Sequence, residues 1–176
     1  MEILDLPPNK SYGFSKIKTV WHQYKNLNYI NEPFNDADSL THWYNLGFRQ
    51  SKFTGDMYDM RQPEPIWMPS IKKQFNWDHF SWALYKMSPG CTLPVHSDTY
   101  VKFREIYSIS NPLNIYRAIV FLENWQSGHY FEIDCKPYLN WQAGDCVWWQ
   151  YDVPHIAANI GETDRYTLQI TGVKLD

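Results

Sequence analysis

The chain has 176 residues, 44% of them apolar and 20% charged, which is globular composition and excludes a disordered polymer. Sixteen basic residues against nineteen acidic ones leave a net charge of −3 with no basic run, so nucleic acid and anionic membrane surfaces are disfavoured as partners. Three cysteines, Cys91, Cys135 and Cys146, with no Cys-x-x-Cys spacing, encode neither a disulfide framework nor a zinc knuckle. In chain order, the start from Met1 to Pro8 has no basic end followed by an apolar run, so no signal peptide is read there. No apolar stretch approaches a membrane span, and the expectation is a soluble cytoplasmic protein. Ile17, Val20, Trp21, Tyr24 and Leu27 recur at three- and four-residue steps and predict an amphipathic helix. Asp38 or Ser39 is placed to cap a short helix carrying Leu40, Trp43 and Tyr44, stopped by Gly47. Pro63-Glu64-Pro65 reads as loop, and Ser70 as the start of another short helix through Phe75.

From Phe80 onward the pattern changes to short strands punctuated by turns. The expected strands cover 80–87, 93–98, 115–123, 129–134, 145–151, 155–160 and 165–173. No helix–strand alternation appears there, which disfavours a parallel α/β sheet and points to a mainly-β sandwich, barrel or jelly roll. The expected organisation is one domain, with residues 1–78 as a helical or irregular support packed outside one sheet and 79–176 as the β core. An aromatic content of 18% leaves rings to line a pocket after the core is filled.

Within the β region, His96-Ser97-Asp98 is the sharpest feature. Residues i and i+2 of a strand share a face, so an imidazole and a carboxylate would point at one spot. That is two-thirds of a two-His-one-carboxylate metal triad, and a short pattern such as this also occurs by chance as a surface turn. His155, after the turn-like Tyr151-Asp152-Val153-Pro154, is the best third ligand, with His129 as runner-up. The segment 165–171 alternates cleanly. Tyr166, Leu168 and Ile170 face one way, and Arg165, Thr167, Gln169 and Thr171 the other. Arg165 offers a planar fork for a carboxylate, with Thr167 beside it as a further donor; the plainer reading is an exposed strand start paired with Asp164 or Glu162. Arg117 is a charge inside an apolar strand and needs an anion, either a bound carboxylate or Glu105, Glu123 or Glu132. Tyr85 and Asn159 are further candidates for co-substrate contact, each with an ordinary packing or backbone-bonding alternative.

Taken in order, Leu84-Tyr85-Lys86-Met87-Ser88-Pro89-Gly90, Pro94-Val95-His96-Ser97-Asp98, the strand at Arg117, the turn at Gln142-Ala143-Gly144-Asp145, Val153-Pro154-His155 and Arg165-Tyr166-Thr167 resemble the Fe(II)/2-oxoglutarate-dependent oxygenases over about half the chain. The resemblance implies a double-stranded β-helix (jelly-roll, cupin-like) core. It implies iron on His96, Asp98 and His155, and 2-oxoglutarate anchored by Arg165 with Thr167 assisting. Arg117 would also touch the co-substrate, and Tyr85 and Asn159 stand beside it as the further candidates named above. The implied activity is dioxygen-dependent hydroxylation of a peptide side chain or a small metabolite, with release of succinate and carbon dioxide. The pattern is similar to the aspartyl/asparaginyl β-hydroxylase branch in Arg117. In His-x-Asp it is similar to the phytanoyl and prolyl hydroxylase branches, although prolyl hydroxylases commonly carry Lys where this chain has Arg165. Two other readings stay open: a cupin-like metal protein without 2-oxoglutarate chemistry, such as an isomerase or another dioxygenase, and a non-catalytic binding module. The metal reading predicts that Asp98→Ala abolishes turnover while circular dichroism and the melting transition persist; full activity in that variant would refute it.

Overall fold

The computed structural model describes residues 12–49 and 53–174; the segment read above for a signal peptide lies outside the described residues. The strands are β1 (Tyr12–Lys16), β2 (Ile30–Pro33), β3 (Thr54–Asp59), β4 (Asp78–Met87), β5 (Thr92–His96), β6 (Ile115–Phe121), β7 (His129–Ile133), β8 (Lys136–Tyr138), β9 (Asp145–Gln150), β10 (His155–Asn159) and β11 (Arg165–Val173). Three helices, α1 (Ala37–Asn45), α2 (Met68–Lys72) and α3 (Val101–Tyr107), interrupt them. One sheet has the order β1-β9-β6-β11-β4-β3-β2 and the other β5-β10-β7-β8, every pairing antiparallel. This is the mainly-β jelly-roll architecture that the turn-punctuated strands predict.

The alternation of β11 sets the layers. Tyr166, Leu168 and Ile170 join Trp82, Leu84, Ala118 and Val120 in a core on the outer face of the large sheet. The opposite face turns Phe121, Val147 and Trp149 toward Phe131, Ile133 and Ala157 of the small sheet, making a second core between the sheets. Arg165, Thr167 and Gln169 line a cavity in that second layer.

The N-terminal region departs from expectation. The predicted helix over Ile17–Leu27 does not form. After β1 the chain runs irregularly, with Gln23 in the left-handed region at φ 58° and a single 3-10 turn at Tyr24–Asn26. Its apolar residues are still used: Ile17 is buried, and Trp21, Tyr24 and Leu27 pack on the outer core, whereas Val20 is 85% exposed. The segment lies across the sheet and is pinned by Ile17 N donating to Gly144 O at 2.8 Å and Trp21 Nε1 donating to Leu122 O at 2.8 Å. Three- and four-residue spacing therefore reports burial here without a helix. The region also supplies three strands, β1 at one edge of the large sheet and β2 and β3 at the other.

The short helices form near their predicted places. Asp36, two residues before the expected cap, accepts from Ser39 N at 2.8 Å, and Gly47 ends the region at φ 94°. Helix α2 begins at Met68, ahead of Ser70, because Pro69 suits a first turn, where an N–H would have no partner. It is α2 that packs on the outer core, through Met68 and Ile71.

Gly55 on β3 is required by its neighbour across the sheet: a Cβ there would collide with Tyr85 Cζ and its hydroxyl oxygen. Gly55→Ala should lower the unfolding free energy by about 1–3 kcal/mol, as overpacking typically does. Urea denaturation that left the stability unchanged would show that the Tyr85 ring moves freely.

Candidate metal centre

Strand register builds the site. Antiparallel pairing sets His155, the first residue of β10, opposite His96, the last of β5. Their rings stand 4.3 Å apart between centroids. Asp98 follows just past the end of β5, and its Oδ2 lies 3.8 Å from His155 Nε2. One ligand atom from each of the three residues lies within 4.8 Å of the others, so His96, Asp98 and His155 could hold a metal ion. Both imidazoles are oriented by backbone carbonyls: His96 Nδ1 bonds Pro94 O at 2.7 Å and His155 Nδ1 bonds Val153 O at 3.1 Å. A carbonyl only accepts, so each Nδ1 carries the proton and each Nε2 keeps its lone pair for a metal.

Aromatic rings wall in these imidazoles. Trp149 lies 4.7 Å from His155, and Phe34 and Trp43 lie 5.3 and 5.7 Å from His96. Trp43 is fully buried and donates from Nε1 to Val95 O at 3.1 Å, fixing the strand that carries His96. Sequence reasoning recognises Trp43 only as a helix face. Nothing local in Phe34 or Trp43 reveals a partner more than fifty positions away.

The charges are arranged around Asp98. Arg117 Nε and Nη2 both reach Asp98 Oδ2, at 3.1 and 3.0 Å. Arg117 thus pairs with the candidate ligand itself and not with Glu105, Glu123 or Glu132. The Tyr100 ring lies 5.0 Å from its guanidinium carbon, and the Gln169 amide oxygen, when turned toward it, accepts from Nη2 at 3.1 Å. Burial alone would disfavour the Asp98 charge, but Arg117, then His155 and His96, together outweigh it and hold the carboxyl well below the usual carboxylate range. His155 is pushed down to about 3, first by burial and then by the neighbouring His96. Both states are those a divalent cation needs, a carboxylate and a neutral imidazole.

The triad opens into a cavity of about 230 Å³ that Arg117, Arg165, Thr167 and Tyr85 also line. Arg165 is 5% exposed and donates from Nη1 to Tyr130 O at 2.6 Å. Its Nε is buried without a hydrogen-bond partner, and among the described residues no carboxylate forms an ion pair with it, Asp164 and Glu162 included. Burial pushes its guanidinium down to about 10, with the nearby Tyr85 acting in the opposite sense. The Tyr85 phenol is raised by burial, and Arg165 partly offsets this. Apolar side chains, among them Leu93, Ile119, Phe131 and Trp149, make up much of the remaining wall.

Two candidates are not brought to the cavity. Asn159 is fully buried, donates from Nδ2 to Met87 O at 2.7 Å and Thr163 O at 2.8 Å, and accepts from Gly161 N at 3.0 Å. It braces turns, and its bonding capacity is taken up by backbone. His129 bonds Thr163 O through Nε2 at 3.0 Å and stands apart from the triad.

No protein-family model matches the chain, and no curated protein matches it in sequence. Among solved structures, a Pseudomonas putida prolyl-4-hydroxylase is similar with a TM-score of 0.53 at 14% identity, over 84% of this chain and 93% of that one. A cupin domain of an Enterobacter cloacae transcriptional regulator gives 0.43 at 11% identity, over 68% and 96%. KdgF from a Halomonas species gives 0.43 at 10% identity, over 69% and 81%. At such identities the likeness is one of fold.

The metal-free protein should be acid-sensitive in a defined window. The folded His155 is lowered to about 3 from an ordinary value near 6.5, so between those values the unfolded chain binds more protons. Stability is therefore complete above the unfolded value and falls with pH, by up to about 1.4 kcal/mol per unit for this one group. Asp98, also lowered, adds loss in the same direction at still lower pH. Denaturant melts of chelator-treated protein between pH 7 and pH 4 test this; a His155→Gln variant should flatten the slope, and an unchanged slope would refute the assignment.

Proposed function

We propose that this chain is an Fe(II)- and 2-oxoglutarate-dependent oxygenase that hydroxylates a C–H bond. The observation that carries the reading is Arg165: a buried guanidinium with an orphaned Nε and no anionic partner among the described residues, lining the same cavity as a two-His-one-carboxylate cluster. A buried cation without an anion is costly, and a bound carboxylate would relieve that cost through paired hydrogen bonds. The residues fit the implied groups. Two imidazoles and one carboxylate suit a divalent first-row metal and leave positions open for other ligands. A dicarboxylate could lie with one end toward the triad and the other on Arg165, with the Thr167 hydroxyl beside it.

Iron and 2-oxoglutarate, bound there, would supply the dioxygen-dependent oxidation, with succinate and carbon dioxide as co-products. The chain contributes binding, orientation and dryness. His96 and His155 present fixed Nε2 lone pairs, and Arg117 keeps Asp98 ionised and holds its Oδ2. Arg165 anchors the distant carboxylate. Leu93, Ile119, Phe131 and Trp149 exclude water, which strengthens every charge interaction inside.

The test is an anaerobic titration of metal-free protein with Fe(II), then 2-oxoglutarate. A visible charge-transfer band that needs both is expected. Arg165→Ala should raise the Kd for 2-oxoglutarate by about 100-fold or more, the scale of breaking a buried charge pair, with Fe(II) affinity unchanged by calorimetry. Tight Fe(II) binding with no band would instead favour a cupin-like metal protein that does not use 2-oxoglutarate. Equal loss of both affinities would assign Arg165 to folding.

A further inference from the structure

A second and larger space, about 570 Å³, meets the metal cavity at Asp98 and Arg117. One wall is the connection from β2 into α1, with Phe34 and Asn35, and the other is the start of α3, from Tyr100 onward. Its floor is a row across three adjacent strands, because Thr171 of β11 pairs with Ser81 of β4 on one side and with Arg117 of β6 on the other. The inward face of β11 therefore carries one polar stripe, Arg165, Thr167, Gln169 and Thr171. It spans roughly 20 Å at ordinary strand rise, from the orphaned guanidinium to this outer cleft.

The bonding capacity left open on the floor and inner walls of the cleft is neutral, and charge that is not already paired lies only on its exposed rim. Asp98 and Arg117 are committed to each other, and Asp36 is spent on capping α1. Lys102 and Glu105, of opposite sign, are exposed along α3. By contrast, Thr171 is 4% exposed and its hydroxyl has no hydrogen-bond partner among the described residues. The Tyr100 hydroxyl is buried beside Asp98 and Arg117 without a hydrogen bond of normal geometry. The Asn35 carboxamide, on the opposite wall, is exposed to solvent and forms no hydrogen bond to protein among the described residues, so it is available to a ligand. A buried hydroxyl left without a partner, as at Tyr100, is destabilising unless something else satisfies it, and the Thr171 hydroxyl is free to bond whatever enters the cleft. Neutral groups that both donate and accept match amide N–H and C=O groups, and Phe34, Val101 and Phe103 add apolar surface for side chains. The volume lies within the roughly 300–1,000 Å³ of pockets that enclose sizeable ligands.

We propose that this outer cleft is the substrate site and that it takes a neutral, amide-bearing chain, a polypeptide segment, and not a free charged metabolite. Thr171 and Asn35 are the positions that read the amides. The inference rests on the oxygenase reading for what happens to the bound segment, but the binding itself does not depend on 2-oxoglutarate.

The experiment is ligand-observed saturation-transfer NMR on the full chain loaded with Zn(II), a diamagnetic stand-in. The probes are a pool of N-acetylated, C-amidated tripeptides with neutral central residues, and the same central residues as free amino acids. Blocked tripeptides should bind and free amino acids should not. The Kd of the best tripeptide should rise about fivefold in Thr171→Val, the scale of one lost hydrogen bond. Asn35→Ala, at an exposed position that folding tolerates, should weaken it in the same way. Binding of free amino acids in preference to tripeptides would overturn the proposal. So would failure of every tripeptide to bind at millimolar concentration, or binding that neither substitution weakens. A 2-oxoglutarate titration of the same wild-type protein with Fe(II) is read separately. Its failure would sink the oxygenase reading whatever the tripeptides do, and its success beside silent tripeptides would sink only the assignment of the cleft.

Discussion

Strand β11 satisfies two opposite demands, and the rest of the structure depends on its doing so. Tyr166, Leu168 and Ile170 must lie in the outer core, while Arg165, Thr167, Gln169 and Thr171 must face the space between the sheets. A slip of one residue would drive the guanidinium into the apolar layer and strip that core of its central strand. The register is held from both sides, by β4 and by β6. The same register sets Thr171 beside Arg117, so the position that holds Asp98 follows from the packing of a strand that carries none of the three candidate ligands.

The site is electrostatically uneven. Asp98 and Arg117 compensate each other at one end of the inner cavity, while Arg165 at the other has only backbone carbonyls and no carboxylate partner among the described residues. A chain optimised for stability alone would not leave a buried guanidinium in that state, because carbonyl dipoles replace only part of what water or a carboxylate provides. Stability given up at a specific point in a cavity is a physical sign of a site built for a ligand. His155 follows the same logic: burial and the neighbouring His96 keep it neutral, as a metal ligand must be.

The N-terminal region extends the scaffold and also completes the site. Its strands β2 and β3 widen the large sheet, and Gly55 of β3 makes room for Tyr85 against the inner cavity. Helix α1 brings Trp43 onto the outer edge of β5, where it holds the Val95 carbonyl and walls His96. The strand that carries His96, β5, is an edge strand, and edges are the least constrained part of a sheet, so a rigid ring and a hydrogen bond at that position oppose fraying.

Alternation and turn chemistry are local, and so the sequence by itself determined seven of the eight strands from β4 onward, the polar and apolar faces of β11, and the short helix ended by Gly47, while the three-residue β8 and helix α3 were not read. His96, Asp98, His155 and Arg165 were also legible, since each sits at the border of a strand whose turn is written beside it. The spacing of Ile17, Trp21, Tyr24 and Leu27 correctly gave burial and misled on the helix, because an irregular chain crossing a sheet can bury the same positions. Only the tertiary structure decided that Arg117 serves Asp98, that Asn159 is spent on turns and that Trp43 reaches His96. These depend on strand order and on contacts between residues far apart in the chain, which no local periodicity encodes.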